Sequence, residues 1–180
     1  MKKTRTVHDK KFSVSISEQQ IEQAVKRIAK QLSVDVVGRK PLFLCVLNGG
    51  FMFASDLFKQ ISEPCEISFV KFASYQGIES TGKVKELIGL NENIIGRLVV
   101  VIEDIVDTGR TMLMMRNRLI ELGASEVRIV SLLLKPEALE VDVMVDYVAF
   151  QIPKDFVVGY GLDYDGLGRN YADIYKVIES

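Results

Sequence analysis

The sequence predicts an α/β fold with a central, mostly parallel sheet flanked by helices. Three observations predict it: short runs that are apolar without interruption, stretches of helical period between them, and turns rich in glycine or acid where the runs end. A strand covered by helices on both sides needs apolar residues on both faces, whereas a surface helix needs only one stripe. Alternation of the two patterns therefore marks a parallel sheet.

The first clear element is a helix. Ser17 followed by Gln20 makes a capping box, and Ile21, Ala24, Val25, Ile28, Ala29 and Leu32 then recur at helical spacing. Pro41 introduces Leu42 to Leu47, a buried strand that stops at Asn48-Gly49-Gly50. Phe51 to Ile61 has room for about three helical turns, and Cys65 to Ser74 alternates as a second strand. Ser74 to Lys83 contains Gly77, Ser80, Thr81 and Gly82 and no apolar period, so it reads as a long loop of the lid kind. Val84 to Leu90 is expected to return as a hairpin partner. Arg97 to Glu103, with Leu98, Val99, Val100, Val101 and Ile102, is the expected sheet centre. Thr111 to Leu122 continues as a helix closed by Gly123, and Val127 to Leu134 is a further buried strand ending before Pro136.

Composition narrows the function. With 180 residues and 48% hydrophobic content, one domain spanning residues 1–180 can bury a sizeable core. Lys and Arg number 23 against 24 Asp and Glu, so no global field draws in nucleic acid. No apolar run approaches the ~20 residues of a membrane helix. The lysine-rich first twelve residues lack the apolar core of a secretory signal, so a cytoplasmic, soluble protein is expected. Cys45 and Cys65 read as packed thiols. His8 is the single histidine and lies in the charged amino-terminal segment, which sets aside Ser/His and Cys/His catalysis. The first buried strand is not followed by the glycine spacing of a dinucleotide site.

The chemistry concentrates where the central strand runs into Glu103-Asp104-Ile105-Val106-Asp107-Thr108-Gly109-Arg110-Thr111. Open α/β sheets bind ligands at such strand ends. Asp107 or Thr108 is placed to cap the following helix, Gly109 lets the backbone approach a ligand, and amides at the helix start suit an anion such as a phosphate monoester. A plainer reading also fits these residues: Asp107 does nothing but cap, and Glu103 and Asp104 are solvated at a strand end. The spacing leaves both open.

The same nine residues closely resemble the phosphoribosyl-pyrophosphate signature of the type I phosphoribosyltransferases. Further segments are similar to the branch of that family acting on 6-oxopurines such as hypoxanthine and guanine. They are Leu47-Asn48-Gly49-Gly50, Ser74-Tyr75 with Ser80-Thr81-Gly82, Leu134-Lys135-Pro136, Phe156 to Tyr160, Leu162-Asp163-Tyr164 and Arg169. Together they span most of the chain between Leu42 and Arg169. The resemblance implies the type I phosphoribosyltransferase fold, with a small hood over the sheet and a mobile lid. One departure is that Asn48 stands where family members often carry a lysine. A cis peptide between Leu47 and Asn48 is also implied.

What the resemblance implies chemically is transfer of the ribosyl 5-phosphate of 5-phosphoribosyl 1-pyrophosphate onto a purine nitrogen, with release of pyrophosphate and with Mg²⁺ as cofactor. In that reading Asp107 accepts the purine's proton, and Glu103 and Asp104 hold the ribose hydroxyls. Asp107, Thr108, Gly109, Arg110 and Thr111 cradle the 5-phosphate, Arg110 mainly through its main chain. Leu47, Asn48, Gly49, Ser74, Tyr75 and Arg169 serve the pyrophosphate. Ile105, Lys135, Phe156, Val157 and Asp163 surround the base, with Lys135 against the 6-oxygen and Phe156 stacked on the ring. Asp163, with Glu103 and Asp104, is carried over toward the metal. Relatives suggest a homodimer or homotetramer with no nucleic-acid or membrane partner. The competing expectation is a non-catalytic nucleotide- or RNA-binding regulator on the same fold, which would need a local basic face.

Overall fold

The computed structural model describes residues 3–73 and 85–178. Ten strands and three α-helices follow one another as β1 (Thr4–Val7), β2 (Lys10–Ile16), α1 (Glu18–Asp35), β3 (Leu42–Leu47), α2 (Phe51–Phe58), β4 (Glu66–Ala73), β5 (Lys85–Ile88), β6 (Leu98–Val106), α3 (Arg110–Glu121), β7 (Glu126–Leu134), β8 (Tyr147–Gln151), β9 (Val157–Val158) and β10 (Ile174–Val177). The main sheet has the order β5-β4-β3-β6-β7-β8. Its pairs are parallel except β4 with β5, which is the expected hairpin return.

Period-two geometry explains why the central strands carry no polar face. Phe43 and Cys45 of β3, with Val100 and Ile102 of β6, pack under α1 and α2. Leu42, Leu44 and Val46, with Val99 and Val101, point the other way onto Met112, Met115 and Leu119 of α3. On α1 the core side is the predicted stripe Ile21, Ala24, Val25, Ile28, Ala29 and Leu32, and the Ser17–Gln20 capping box is formed.

A second, antiparallel sheet of order β1-β2-β10-β9 stands as the hood. It has a small core of Val7, Phe12, Val158 and Tyr175. Asp173 joins this sheet to α1: its carboxylate accepts from Lys3 Nζ at 2.6 Å, from the Glu18 amide at 2.9 Å and from the Tyr175 hydroxyl at 3.1 Å.

Two boundaries differ from the sequence reading by more than two residues, and one segment was not expected as strand. Helix α2 ends at Phe58, one turn before the expected Ile61, and its tail continues as single turns from Lys59 to Ile61. Strand β6 runs on through Val106, because Ile105 and Val106 still pair with Leu133 and Leu134 of β7. Glu103 and Asp104 therefore lie within a strand rather than past its end. The amino-terminal segment, expected only as a charged stretch, forms β1 and β2.

Candidate active site

Sheet order brings together segments far apart in sequence. Because β3, β6 and β7 are adjacent and parallel, their carboxyl ends place Leu47–Gly49, Glu103–Thr111 and Lys135 side by side. The Leu47–Asn48 peptide is cis, as the resemblance implied. Gly49 then lies flush against Asp104: a methyl group there would fall 1.4 Å from Asp104 Oδ2. The other oxygen, Oδ1, accepts from the Ile105 amide at 2.8 Å.

Glu103 is 8% exposed and accepts from the Asp104 amide at 3.0 Å, so it is not the solvated strand-end residue of the plainer reading. Burial first, and the neighbouring Asp104 carboxylate second, hold its carboxyl well above the usual range. Cys45 beneath it is pushed up to about 12, chiefly by burial. It is a packed thiol.

The capping reading of Asp107 is also corrected. The N-cap of α3 is Gly109, at φ 80°, and Thr108 Oγ1 makes only a long contact to the helix start, accepting from the Arg110 amide at 3.5 Å. The first amides of α3, like those of any helix, have no intrahelical partner, as an anion site requires. Close packing reinforces the choice of glycine, since a methyl group on Gly109 would meet Val143 Cγ1 at 2.6 Å. Asp107 instead faces the next strand, where Lys135 Nζ donates to its Oδ2 at 2.8 Å. The lysine is 12% exposed at its side chain and the aspartate 51%. Thr111 lies exposed in the first turn. The Arg110 side chain turns away to Glu140 at 2.7 Å.

The hood supplies the opposite wall. Val157 is buried in β9, whereas Phe156 is 42% exposed and held edge-on by Tyr164 at 5.4 Å between ring centroids. Asp163 and Arg169 pair at 2.6 Å, and Arg169 Nη1 also donates to the Gly161 carbonyl at 2.7 Å. Gly161 was not singled out from the sequence. It sits directly on the pyrophosphate-loop candidate, because a methyl group on it would fall 2.1 Å from the Gly49 carbonyl oxygen. The signal available was the pair of glycines flanking Tyr160. Ser74 and Tyr75 lie outside the described residues.

The donor set suits a small hard cation held jointly with substrate. Asp163 and Asp104 are the carboxylates concerned, that of Asp163 meeting Arg169 through Oδ1 and the Gly166 amide through Oδ2 at 2.7 Å, and among the described residues no group of three or more Asp, Glu, His or Cys side chains gathers to hold an ion alone. Mg²⁺ is commonly bound in this way, by one or two carboxylates plus substrate phosphates.

Known proteins resemble this chain over most of its length. Residues 15–165 match the family profile described as the phosphoribosyl transferase domain. The hypoxanthine-guanine phosphoribosyltransferase of Streptococcus thermophilus is 42% identical over 91% of this chain and 92% of its own. The chain belongs to the phosphoribosyltransferase family, in its hypoxanthine-guanine branch. Solved structures of that branch superpose closely. The Bacillus anthracis hypoxanthine-guanine enzyme gives a TM-score of 0.86 at 37% identity, covering 92% of this chain and 96% of the other. The Trypanosoma cruzi hypoxanthine enzyme gives 0.88 at 31% identity, covering 97% and 95%.

Proposed function

We propose that the site moves the 5-phosphoribosyl group of 5-phosphoribosyl 1-pyrophosphate onto hypoxanthine or guanine, giving IMP or GMP and pyrophosphate in purine salvage. The observation that carries this reading is the Lys135–Asp107 pair at the mouth of the phosphate turn. An ammonium donates but cannot accept, so Lys135 favours a 6-oxo base over a 6-amino one. Lys135 engages Asp107 through Oδ2, which leaves Oδ1 to accept the purine's proton. The open amides after Gly109, with Thr108 and Thr111, hold the 5-phosphate at the positive end of α3. Asp104 and Glu103 line the ribose, and Phe156 covers the purine face. Asn48, Gly49 and Arg169 receive the pyrophosphate, Arg169 through the fork that suits phosphate oxygens.

Asp163 and Asp104 would hold Mg²⁺, which neutralises charge on the departing pyrophosphate when bound. The chain acts as one domain, residues 1–180, in the cytoplasm. It assembles as a homodimer or homotetramer and takes no nucleic-acid or membrane partner.

The test is a panel of hypoxanthine, guanine, xanthine, adenine and orotate offered with Mg²⁺ and the activated sugar. Nucleotide formation with the first two and none with adenine is expected. Turnover of adenine at a comparable rate would refute the role given to Lys135.

A further inference from the structure

Tyr160 and Asp56 belong to none of the groups assigned above, yet they tie the two walls of the site together. Asp56 stands in the second turn of α2, the helix whose amino end is the Asn48–Gly50 loop. Tyr160 follows β9 and directly precedes Gly161. Its hydroxyl donates to Asp56 Oδ2 at 2.7 Å, bridging 104 positions of sequence. The other oxygen of Asp56 takes Lys59 Nζ at 2.7 Å.

The surroundings leave the tyrosine little freedom. It is 5% exposed and sits at φ 49°, a conformation that a non-glycine residue keeps only where its neighbours hold it. Its own amide donates to the Tyr171 carbonyl at 2.7 Å. On one side Gly159 abuts the Asp173 carbonyl, and on the other Gly161 abuts that of Gly49; in each case a methyl group would approach the oxygen to 2.1 Å. The Asp56 end is different. It borders a cleft of about 290 Å³ between α1, α2 and Tyr160, so packing alone does not fix where the carboxylate points. The hydrogen bond does. Burial and the adjacent carboxylate both raise the Tyr160 hydroxyl's pKa, which keeps it a donor.

We propose that the Tyr160–Asp56 hydrogen bond is a positioning pair that sets the approach of the Gly161–Arg169 segment to the Gly49 loop. It thereby tunes capture of the pyrophosphate end of the sugar substrate. This rests on the reaction assigned above. On the purine side Lys135 follows β7, outside the segment the pair positions, whereas Asp163 and the Tyr164 ring that abuts Phe156 lie inside it, so loss of the pair weakens the sugar most and the purine less.

Tyr160→Phe keeps the ring and removes the hydroxyl. It is expected to raise both KM and calorimetric Kd for Mg²⁺-bound 5-phosphoribosyl 1-pyrophosphate by about tenfold, with KM for hypoxanthine within twofold. Asp56→Ala should repeat that split, the double variant should be no worse than either single one, and Asp56→Asn, which retains an accepting oxygen, should restore the sugar affinity. If Tyr160→Phe fails to fold, Asp56→Ala carries the same measurement. A fall in Tm with both affinities unchanged, or an equal rise in both KM values, would overturn the proposal. Calorimetry reads the sugar affinity without turnover, so a wild-type chain that binds the sugar but forms no nucleotide would refute the reaction while the ratio between variants still decides the positioning claim.

Discussion

Gly161→Ala tests whether the contact between hood and pyrophosphate loop matters to the reaction. Gly161 has φ +99°, and a methyl group there would fall 2.1 Å from the Gly49 carbonyl oxygen and 3.2 Å from its carbon. Ordinary contact begins at 3.4 Å, so the two backbones must part by about 3.4 − 2.1 = 1.3 Å. Neither partner is the flexible end of a side chain. Gly161 is also held by Arg169, whose main-chain oxygen accepts from the Gly161 amide at 2.9 Å and whose Nη1 donates back to its carbonyl at 2.7 Å.

The backbone strain of a non-glycine residue there costs about 1–3 kcal/mol, to be read as a shift in the urea midpoint. The separation has a second consequence for catalysis. A misplacement of about 1 Å costs on the order of 100-fold in rate, which is about 2.7 kcal/mol of barrier. The assay is initial rate against 5-phosphoribosyl 1-pyrophosphate at saturating hypoxanthine, with urea unfolding measured in parallel. A fall of roughly 100-fold in kcat/KM for the sugar is expected. An alanine variant that unfolds earlier yet, while folded, turns over the sugar as well as wild type would refute the reasoning, because it would show that the loop does not need the hood to hold its place.

Asp107→Asn should lower turnover strongly while sugar affinity stays within a few-fold, measured by kcat and by calorimetry; full activity would remove Asp107 as proton acceptor. Lys135→Ala should raise KM for hypoxanthine by roughly tenfold or more and leave that of the sugar nearly unchanged. Asp173→Ala should cost about 1.5–3 kcal/mol in urea unfolding, since it strips a charged acceptor from Lys3, the Glu18 amide and Tyr175. The Lys3 contact first, and the Glu18 amide next, hold the Asp173 carboxyl below its usual range. Its stabilisation is therefore complete above the unfolded-state value of about 3.9 and is lost as pH falls through the lower folded value. Wild type should lose stability across that acid window and Asp173→Asn should lose less of it. Ser17→Ala should cost about 1 kcal/mol, read as a lower urea midpoint, because it removes one half of the α1 capping box.

How much was legible in the sequence depended on how local the signal was. The apolar face of α1, its capping box and the two-sided runs of β3, β6 and β7 were readable because each is set by spacing within one segment. The break between strand and helix within Glu103–Thr111 was readable for the same reason. The hood was not, since β1, β2, β9 and β10 are two to seven residues long and the pairing that assembles them, β2 with β10, joins opposite ends of the chain. The role of Asp107 was ambiguous because a helix cap and an ion pair draw on the same carboxylate. Lys135, which decides between them, lies 28 positions away.

By itself the sequence determined the layered α/β plan and the acidic turn that leaves its central strand, because periodicity and turn chemistry act over a few residues. Tertiary structure alone decided that Gly161 rests on Gly49, that Gly49 rests on Asp104, and that Tyr160 reaches Asp56. Each of these is a contact between segments whose separation is fixed only when two sheets and a helix come together. The number of ways a chain can bring distant residues close is too large for local spacing to choose among them.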